Sequence, residues 1–509
     1  MKKNKQSWYM TILSVLAVFC FVLTAGQAEA VSTRLAPEPG YAAHDYTMDQ
    51  ASDTGYSSGL DVVYKQIAQL PMPPARCYLK TEDFKDALGN DGDGFRLKLF
   101  DYLGGLDTTI YTESGNGMYG SFSGCAKMNP AGDTVWFSKS GNTDAWYSVS
   151  VNTGLSYGGS FGTAVQEYLQ PGAWEVEWDT TSGRAFFAGK ETNPWNDPHA
   201  IFIRNAADSA WLMVINIGGY SNGFAFDSSG NLWCGTYTTT GGTGEQQYIY
   251  VFSAEDVAAK VTALLAGTST TPLIPDPNPA LGDNVHTIDC PTFAQEDPGT
   301  GEITTYYTGP NDIECDPDGN VYISLNGGFY ADPEPPYENS RDAGLVVQYP
   351  NTGAAPWPTD MTKDILAWTI PTSGSDWQKN LSFDGDTNLP ANDNRLYVDQ
   401  DFAWGTGGPD QVTAITNDND DDGDGVADAV DNAWATINPN QIDADLDMFG
   451  NMCDADFNND AIVDLTDFVA LKAVWLGSDS IIDMNSSGLV DIDDFYLLQT
   501  RWLSSQPWN

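Results

Sequence analysis

The residues best suited to chemistry lie in an acidic segment near the C-terminus. Aspartates there occupy positions 1, 3, 5, 9 and 12 of a twelve-residue stretch, and Gly425 occupies position 6. A hard cation such as Ca²⁺ takes six to eight oxygen ligands, and the chain must turn sharply around it. The spacing therefore predicts a calcium loop. Its ligand candidates are Asp420, Asp422, Asp424, Asp428 and Asp431.

The pattern recurs three more times along the same segment. The second loop offers Asp443, Asp445, Asp447, Asn451 and Asp454, the third Asp456, Asn458, Asp460, Asp464 and Asp467, and the fourth Asp483, Asn485, Ser487, Asp491 and Asp494. Met448 and Ala461 stand at the turn positions of the second and third loops, whereas the fourth has Gly488. A run of like charge is often a solvated, disordered linker. Four loops in register, two of them leading into apolar helical periodicity, favour calcium binding instead.

Residues 417–455 resemble a pair of thrombospondin type 3 repeats. The resemblance rests on the stretch DNDDDGDGVADAVDN, followed by NPNQIDADLDMFGNMCD. It departs from that family at Asp431-Asn432-Ala433-Trp434, where the family has Asp-Asn-Cys-Pro. Cys453 therefore lacks the disulfide partner that the resemblance would imply.

Residues 456–509 resemble a type I dockerin, in which two calcium loops are each followed by a helix. Phe468, Leu471 and Trp475 are predicted to line one face of the first helix; Phe495, Leu498 and Trp502 are predicted to line the second. The resemblance implies a cohesin-like protein partner, which dockerins bind through loop positions 10 and 11 and the helix beyond. Those positions hold Leu465-Thr466 and Ile492-Asp493, which differ from each other and from the family's common Ser-Thr pair.

The N-terminus, residues 1–30, has the pattern of a signal peptide. Lysines precede an apolar run from Tyr9 to Ala25, and Ala28-Glu29-Ala30 supplies small residues for cleavage before Val31. An uncleaved membrane anchor is the alternative. We expect a mature chain without a membrane span, located outside the cell or at its surface, and we interpret residues 31–59 as a linker.

Composition limits the possible partners and chemistries. Asp and Glu number 70 against 22 Lys and Arg, and a net charge of −48 disfavours nucleic acid as a ligand. The chain has three histidines, which leaves little material for a histidine-based metal site or a Ser-His-Asp triad. No CxxC occurs, and the pairing of the six cysteines beyond the signal segment stays open.

Residues 60–416 have the texture of an all-β domain. Short runs of β-branched and aromatic residues alternate with turns, and Ala254 to Leu265 is the main helical exception. An Asp-x-x-Gly turn followed by an apolar and an aromatic residue recurs, best at Asp227–Trp233 and Asp316–Tyr322. We therefore predict an all-β fold: a six- to eight-bladed β-propeller with a small calcium-binding loop–helix (dockerin-like) C-terminal module. The steps from Trp136 to Phe186 to Trp233 equal one blade each, and the gap to Tyr322 predicts two. A β-sandwich pair or a jelly roll is the alternative.

The blade turns also resemble those of NHL-type and gluconolactonase-like β-propellers. That resemblance implies that Asn222 and Asn311 point into the central channel and help to hold a divalent cation. Asp312, Glu314 and Glu177 are further oxygens near blade starts. The alternative, which the sequence favours, is that the asparagines cap turns around a packed pore.

Together these features predict a secreted, modular protein. Its β-propeller is expected to bind a ligand, for which a carbohydrate is a candidate. Its dockerin-like module is expected to serve calcium-dependent assembly in extracellular polysaccharide degradation. A propeller hydrolase, lyase or lactonase acting on a sugar derivative is one alternative, and a structural or adhesive cell-surface protein is another. Clustered carboxylates in the channel would favour the enzyme.

Overall fold

The computed structural model describes most of the chain beyond Leu35. The described residues are 35–37, 41–49, 54–66, 75–84, 94–101, 104–114, 122–140, 145–151, 155–156, 161–170, 172–190, 199–218, 223–235, 246–275, 285–296, 303–316, 319–327, 345–350, 364–369, 376–383, 396–402, 411–417, 424, 426–428, 430–434, 436–460 and 462–503. The signal segment 1–30 lies outside them. Within the described residues the fold is nearly all-β, with three short helices.

In the described part of the chain, twenty-seven strands form six sheets, each of them one blade of a β-propeller. The pairing is antiparallel throughout these sheets except between β10 and β3. From the innermost strand outward, the first blade contains β3 (Thr54–Gln66), β4 (Ala75–Phe84), β5 (Gly94–Asp101) and β6 (Leu106–Ser114), and the second contains β7 (Phe122–Met128), β8 (Thr134–Ser140), β9 (Ala145–Ser150) and β11 (Val165–Leu169). The third blade contains β12 (Glu175–Trp178), β13 (Ala185–Gly189), β14 (Ala200–Arg204) and β15 (Trp211–Asn216), and the fourth contains β16 (Phe224–Phe226), β17 (Leu232–Gly235), β18 (Tyr248–Phe252) and β19 (Val285–Asp289). The fifth contains β21 (Ile303–Cys315), β22 (Val321–Gly327), β23 (Leu345–Tyr349) and β24 (Asp364–Thr369), and the sixth contains β25 (Asp376–Phe383), β26 (Leu396–Phe402), β27 (Gln411–Asn417) and β2 (Tyr41–Thr47). Three further strands are edge additions: β1 (Leu35–Pro37) on β24, β10 (Leu155–Ser156) on β3, and β20 (Thr292–Glu296) on β21.

The ring is closed by the N-terminal segment. Tyr41–Thr47 pairs antiparallel with Gln411–Asn417 as the outer strand of the last blade, and Leu35–Pro37 adds to the fifth. The linker interpretation of residues 31–59 is therefore corrected: its described part supplies strands to three blades. These strands could not be recognised from the sequence because they are rich in small and polar residues. The strands with which they pair also lie far along the chain.

The recurrent turn is the tight hairpin that the sequence predicted. At Asp227, one carboxylate oxygen accepts hydrogen bonds from the backbone N–H groups of Ser229 and Asn231, both at 2.9 Å. Its other oxygen accepts from the indole N–H of Trp233 at 3.1 Å, and Gly230 has φ +81°. The turn at Asp316 repeats this arrangement, with Gly319 at φ +84° and a hydrogen bond from the Tyr322 hydroxyl. Each turn joins the innermost strand of a blade to the second.

The described blades number six, at the lower end of the predicted range, and the predicted spacing fails at one place. Trp233 and Tyr322 lie in the second strands of adjacent blades, so the gap between them holds one blade step and not two. The extra length is an insertion between β18 and β19 that contains helix α1, Ala254–Leu265. The helix itself was predicted, and Ser253 caps its N-terminus by accepting from the N–H of Asp256.

Hydrophobic side chains fill the interface between every pair of neighbouring blades. One example joins the last blade to the first, where Tyr397 and Val412 pack against Tyr78 and Phe100. Five equivalent clusters join the other pairs. Sheet-on-sheet packing of this kind is what turns six separate sheets into one domain.

The C-terminal segment has its own hydrophobic core and two helices, α2 (Leu465–Ala473) and α3 (Ile492–Thr500). Leu471 and Leu498 are buried as predicted, and the rings of Phe468 and Phe495 meet at 5.8 Å. Trp475 and Trp502 lie just beyond the helices and are about two-fifths exposed, so they do not line the core. None of the described helices has the length and apolarity needed to cross a membrane.

Candidate functional site

The fourth acidic loop, 483–494, folds around its first aspartate. The carboxylate of Asp483 accepts hydrogen bonds from the N–H groups of Ser487 at 2.9 Å and Gly488 at 2.6 Å. Gly488, at position 6, has φ +88°. The carboxylate of Asp494 reaches back to accept from the N–H of Asp491 at 2.8 Å, which closes the loop at the start of α3. Asn485 also donates its N–H to Asp494.

The third loop, 456–467, repeats this geometry at the start of α2. Asp456 accepts from the N–H of Asp460 at 3.2 Å, and Asn458 accepts from the same N–H at 2.9 Å. Asp467 accepts from the N–H of Asp464 at 2.8 Å, as Asp494 does from Asp491. Ala461, at the turn position, lies outside the described residues.

The second loop, 443–454, turns in the same way without a glycine. Asp443 accepts from the N–H groups of Leu446 at 2.7 Å and Met448 at 2.8 Å. Met448 takes φ +78° at position 6, a left-handed conformation that costs an L-residue about 1–2 kcal/mol. The carboxylate oxygens of Asp443, Asp445 and Asp447 lie within 4.8 Å of one another.

The first loop is described only in its second half. Asp424 accepts from the N–H groups of Val426 and Asn438, and Asp431 accepts from the N–H of Ala433 at 2.7 Å. Asp428 is half-buried. The other ligand candidates, Asp420 and Asp422, and the turn residue Gly425 lie outside the described residues.

The donor set of the described loops fits calcium. Asp447, Asp467 and Asp494 are fully buried, although a buried carboxylate is costly without a positive partner. One oxygen of Asp447 and one of Asp467 accept no hydrogen bond from the described residues. Burial raises the pKa of Asp447 to about 9, with Asp445 and Asp443 adding repulsion. When bound, a calcium ion would supply the missing positive charge, and the loop carboxylates, amides and Ser487 would hold it.

A second carboxylate cluster lies at the propeller axis, on the innermost strands. The ammonium of Lys127, on β7, pairs with Glu177 of the next blade and with Glu314 of the opposite blade, the latter at 2.7 Å. Glu175 lies 4.0 Å from the same nitrogen. Lys127 therefore links carboxylates from two other blades across the propeller axis, and its positive charge lies in a nearly buried site.

Two aspartates extend this cluster around the axis. Asp61, on β3, accepts from the N–H of Met128 at 2.6 Å and from the hydroxyl of Ser382 at 3.2 Å. Asp312 accepts from the N–H of Leu381 at 2.6 Å. Burial raises the pKa of Asp61 to about 7. Burial likewise raises the pKa values of Asp312, Glu175 and Glu177, and Lys127 opposes the effect in each.

The structure brings together part of the site that the sequence suggested. Asp312, Glu314 and Glu177 converge on Lys127, whereas Asn311 is buried at a β-bulge of β21. Asn222 lies outside the described residues. The sequence interpretation missed Lys127, Glu175 and Asp61. A usable signal was the charged–apolar–charged triplet directly before a blade turn, as in Glu175-Val176-Glu177 and Asp312-Ile313-Glu314, because such a triplet places two charges on one face of an innermost strand.

Among the described cysteines, Cys125, Cys234, Cys315 and Cys453 are free thiols. Cys453 is buried in the C-terminal core together with Ala433, and its thiol donates to the carbonyl of Asn432. Cys453 is thus a buried thiol in the hydrophobic core and does not form the disulfide that the thrombospondin type 3 resemblance would imply.

Comparison with known proteins assigns this chain to no family. No protein-family profile and no curated protein matches this chain. Among solved structures, a glucose dehydrogenase is 13% identical, with a TM-score of 0.34 over 71% of this chain and 99% of its own. The polysaccharide lyase Uly1 is 10% identical, with a TM-score of 0.30 over 73% and 93%. A gluconolactonase from Xanthomonas campestris is 11% identical, with a TM-score of 0.25 over 58% and 94%. Likeness at this level carries no argument about activity, and the propeller assignment stands on the strand pairing.

Proposed function

We propose that this chain is an exported, calcium-binding modular protein in which a C-terminal dockerin-like module attaches a β-propeller to a protein partner. The setting that best fits this combination is extracellular polysaccharide degradation. The observation that carries the proposal is the matched pair of loops 456–467 and 483–494. In both, the closing aspartate is fully buried and completes a capping box at the start of a helix.

The charge of this region supports a requirement for cations. Beyond Asn417 the basic residues are Lys472 and Arg501, and aspartates dominate. Buried carboxylates without a compensating charge destabilise a folded chain, so a bound divalent cation would make folding of this region favourable. The N-terminal segment 1–30 supports export into a calcium-containing environment.

Calcium binding is tested on the full chain by equilibrium dialysis. Extracellular calcium modules bind with Kd values of about 10⁻⁴–10⁻³ M, so the sites should fill below ~10 mM calcium. We expect Asp467→Asn and Asp494→Asn each to lower the calcium stoichiometry by one. Asp493→Asn, an exposed neighbour at a position without a ligand role, is the charge-matched control. A wild-type chain that binds no calcium at ~10 mM would contradict the proposal.

The two helices also present a surface for a partner. Leu465 and Val469 on α2 are 64% and 55% exposed, and the equivalent Ile492 and Tyr496 on α3 are 48% and 57% exposed. Each pair is spaced i, i+4, so each forms one apolar stripe beside its calcium loop. Stripes of this kind fit a protein partner, and the dockerin resemblance indicates a cohesin-like one.

Partner binding is tested by interferometry against a panel of immobilised type I cohesin modules in calcium. We expect the double substitution Leu465→Glu with Ile492→Glu to abolish binding. Leu169→Glu, on the propeller and 65% exposed, is the matched control and should have no effect. A panel in which no cohesin captures the wild-type chain would exclude this class of partner.

The axial cluster supports a second candidate function, an enzyme acting on a sugar derivative. Carboxylates whose pKa values are raised by burial can hold or release a proton near neutral pH, as a general acid or base requires. Lactonase and glycoside-cleavage assays of the full chain, with and without divalent cations, test it. Turnover that Glu177→Gln abolishes would favour the enzyme. No turnover on any substrate would leave a binding function or the structural, adhesive alternative.

A further inference from the structure

The thrombospondin-like and dockerin-like segments, which the sequence separates, share one hydrophobic core in the structure. Ala433, Phe449 and Cys453 from the first segment pack in the same buried cluster as Val463, Leu471, Met484, Val490 and Leu498 from the second. A small domain is stabilised by the core that it buries, so neither segment has a complete core without the other.

Polar contacts also cross the boundary. Asn459, in the third loop, donates its side-chain N–H to the carboxylate of Asp445, in the second loop, at 3.1 Å. Asn451, in the second loop, donates to the carbonyl of Ser480, just before the fourth loop, at 2.7 Å. The second loop thus contacts the third loop and the segment that leads into the fourth.

The closest link is covalent. Asp454 ends the second loop and Asp456 begins the third, with the fully buried Ala455 between them. The N–H of Asp456 donates to the carboxylate of Asp454 at 2.9 Å, so the two ligand candidates are held in one turn. Asp447 is also fully buried beside them, with one oxygen that accepts no hydrogen bond from the described residues.

We propose that residues 433–503 form a single calcium-folded unit, in which calcium at the second loop, 443–454, orders the helices α2 and α3 of the dockerin-like pair. This inference rests on the calcium binding proposed above and adds the regulation of the partner-binding surface. The thrombospondin-like segment then acts as a calcium-sensing part of the docking module. Because the coupling is an equilibrium one, it must act in both directions.

The test is hydrogen–deuterium exchange of the full chain during a calcium titration. Its readout is the calcium concentration at which α2 and α3 become protected. We expect Asp447→Asn to raise that concentration about fivefold or more, the lower end of typical coupling between sites. Asp107→Asn, an exposed aspartate of β6 in the propeller, is the matched control and should not move it. Strand β17, in the propeller, reports whether each variant is folded.

Two further variants keep the test decisive if Asp447→Asn unfolds its own loop. Phe449→Ala removes a core side chain and no ligand candidate, and it should reduce protection of the helices even at saturating calcium. Asp494→Asn, in the fourth loop, should in turn raise the calcium concentration that protects 443–454. Coupling is overturned if Asp447→Asn and Phe449→Ala alter only 443–454 while the helices keep the wild-type calcium midpoint. A wild-type chain whose exchange ignores calcium would instead refute the calcium binding itself.

Discussion

The molecule contains two dense groups of carboxylates, and they differ in where the positive charge comes from. At the propeller axis, Lys127 places an ammonium among Glu175, Glu177 and Glu314. In the C-terminal loops, Asp443, Asp445 and Asp447 crowd within 4.8 Å of one another. The charged groups that most affect the pKa of Asp447 are other carboxylates, those of Asp445, Asp443 and Asp456. The axial group carries its own cation, and we propose that the loop group takes calcium from solution.

This difference indicates different dependences on the surroundings. An internal lysine is present in every folded molecule, so we expect the propeller to fold without an added cation. In the loops, where the proposed counter-charge is calcium, we expect folding to depend on the calcium concentration. On the function proposed above, the chain joins a β-domain that folds without added calcium to a module whose order follows the calcium concentration.

Calcium removal tests the comparison with the largest expected effect. A ligand present at 100 times its Kd stabilises the folded state by about 2.7 kcal/mol per site, and several sites are predicted here. We expect a chelator to abolish the exchange protection of α2 and α3 and to leave β17 protected. Exchange read separately for helix and propeller peptides measures this. An equal loss of exchange protection in the helices and in the propeller would contradict the proposal that only the C-terminal module depends on calcium.

Lys127→Met tests the other half of the comparison. Removing one partner of a buried ion pair typically costs about 3–5 kcal/mol, because the remaining charges stay buried without compensation. We expect the free energy of unfolding of the propeller to fall by that order in denaturant titrations. Lys472→Met, on the exposed face of α2, should be close to neutral.

The same variant can sharpen the comparison further. Without the ammonium, the axial carboxylates resemble the loops, so added calcium should restore part of the stability of Lys127→Met. Calcium should not change propeller stability in the wild-type chain. Equal calcium effects in both proteins would show that Lys127 is not the counter-cation of the axis.

A smaller effect is expected from pH at Asp61. Burial raises its pKa from 3.8 to about 7, so between these values the folded chain binds a proton that the unfolded chain has released. The free energy of unfolding should therefore decrease as pH rises from about 4 to about 7. Asp61→Asn should reduce this slope, and Asp107→Asn, which is exposed, should not. The slope should not vanish, since burial also raises the pKa values of Glu175, Glu177 and Asp312.

The two regions also differ in how far sequence alone predicts them. The turn geometry of the loops could be predicted because the ligand candidates of each loop lie within twelve residues, and local spacing determines local geometry. The axial cluster joins Lys127 to Glu314 across the ring, and no local pattern encodes such a contact. Likewise the polar strand Tyr41–Thr47 is ordered by pairing with Gln411–Asn417, which lies at the other end of the propeller sequence. The predicted blade spacing was wrong only between Trp233 and Tyr322, where the insertion with helix α1 lengthened one blade.

The turn position of the calcium loops gives the smallest and cleanest prediction. Gly488 has φ +88°, and a methyl group added there would meet no atom within 4 Å. Gly488→Ala therefore isolates backbone strain, and it should lower the free energy of unfolding of the calcium-loaded module by about 1 kcal/mol.

Met448 already bears this strain at φ +78° in the second loop. Met448→Gly should relieve it, although the thioether also accepts a hydrogen bond from the N–H of Arg76 on the propeller. Exchange of α3 and of 443–454 in the two variants measures both effects. If the module of residues 433–503 is one unit, each substitution changes protection in both loops, whereas independent loops would each respond only to their own substitution.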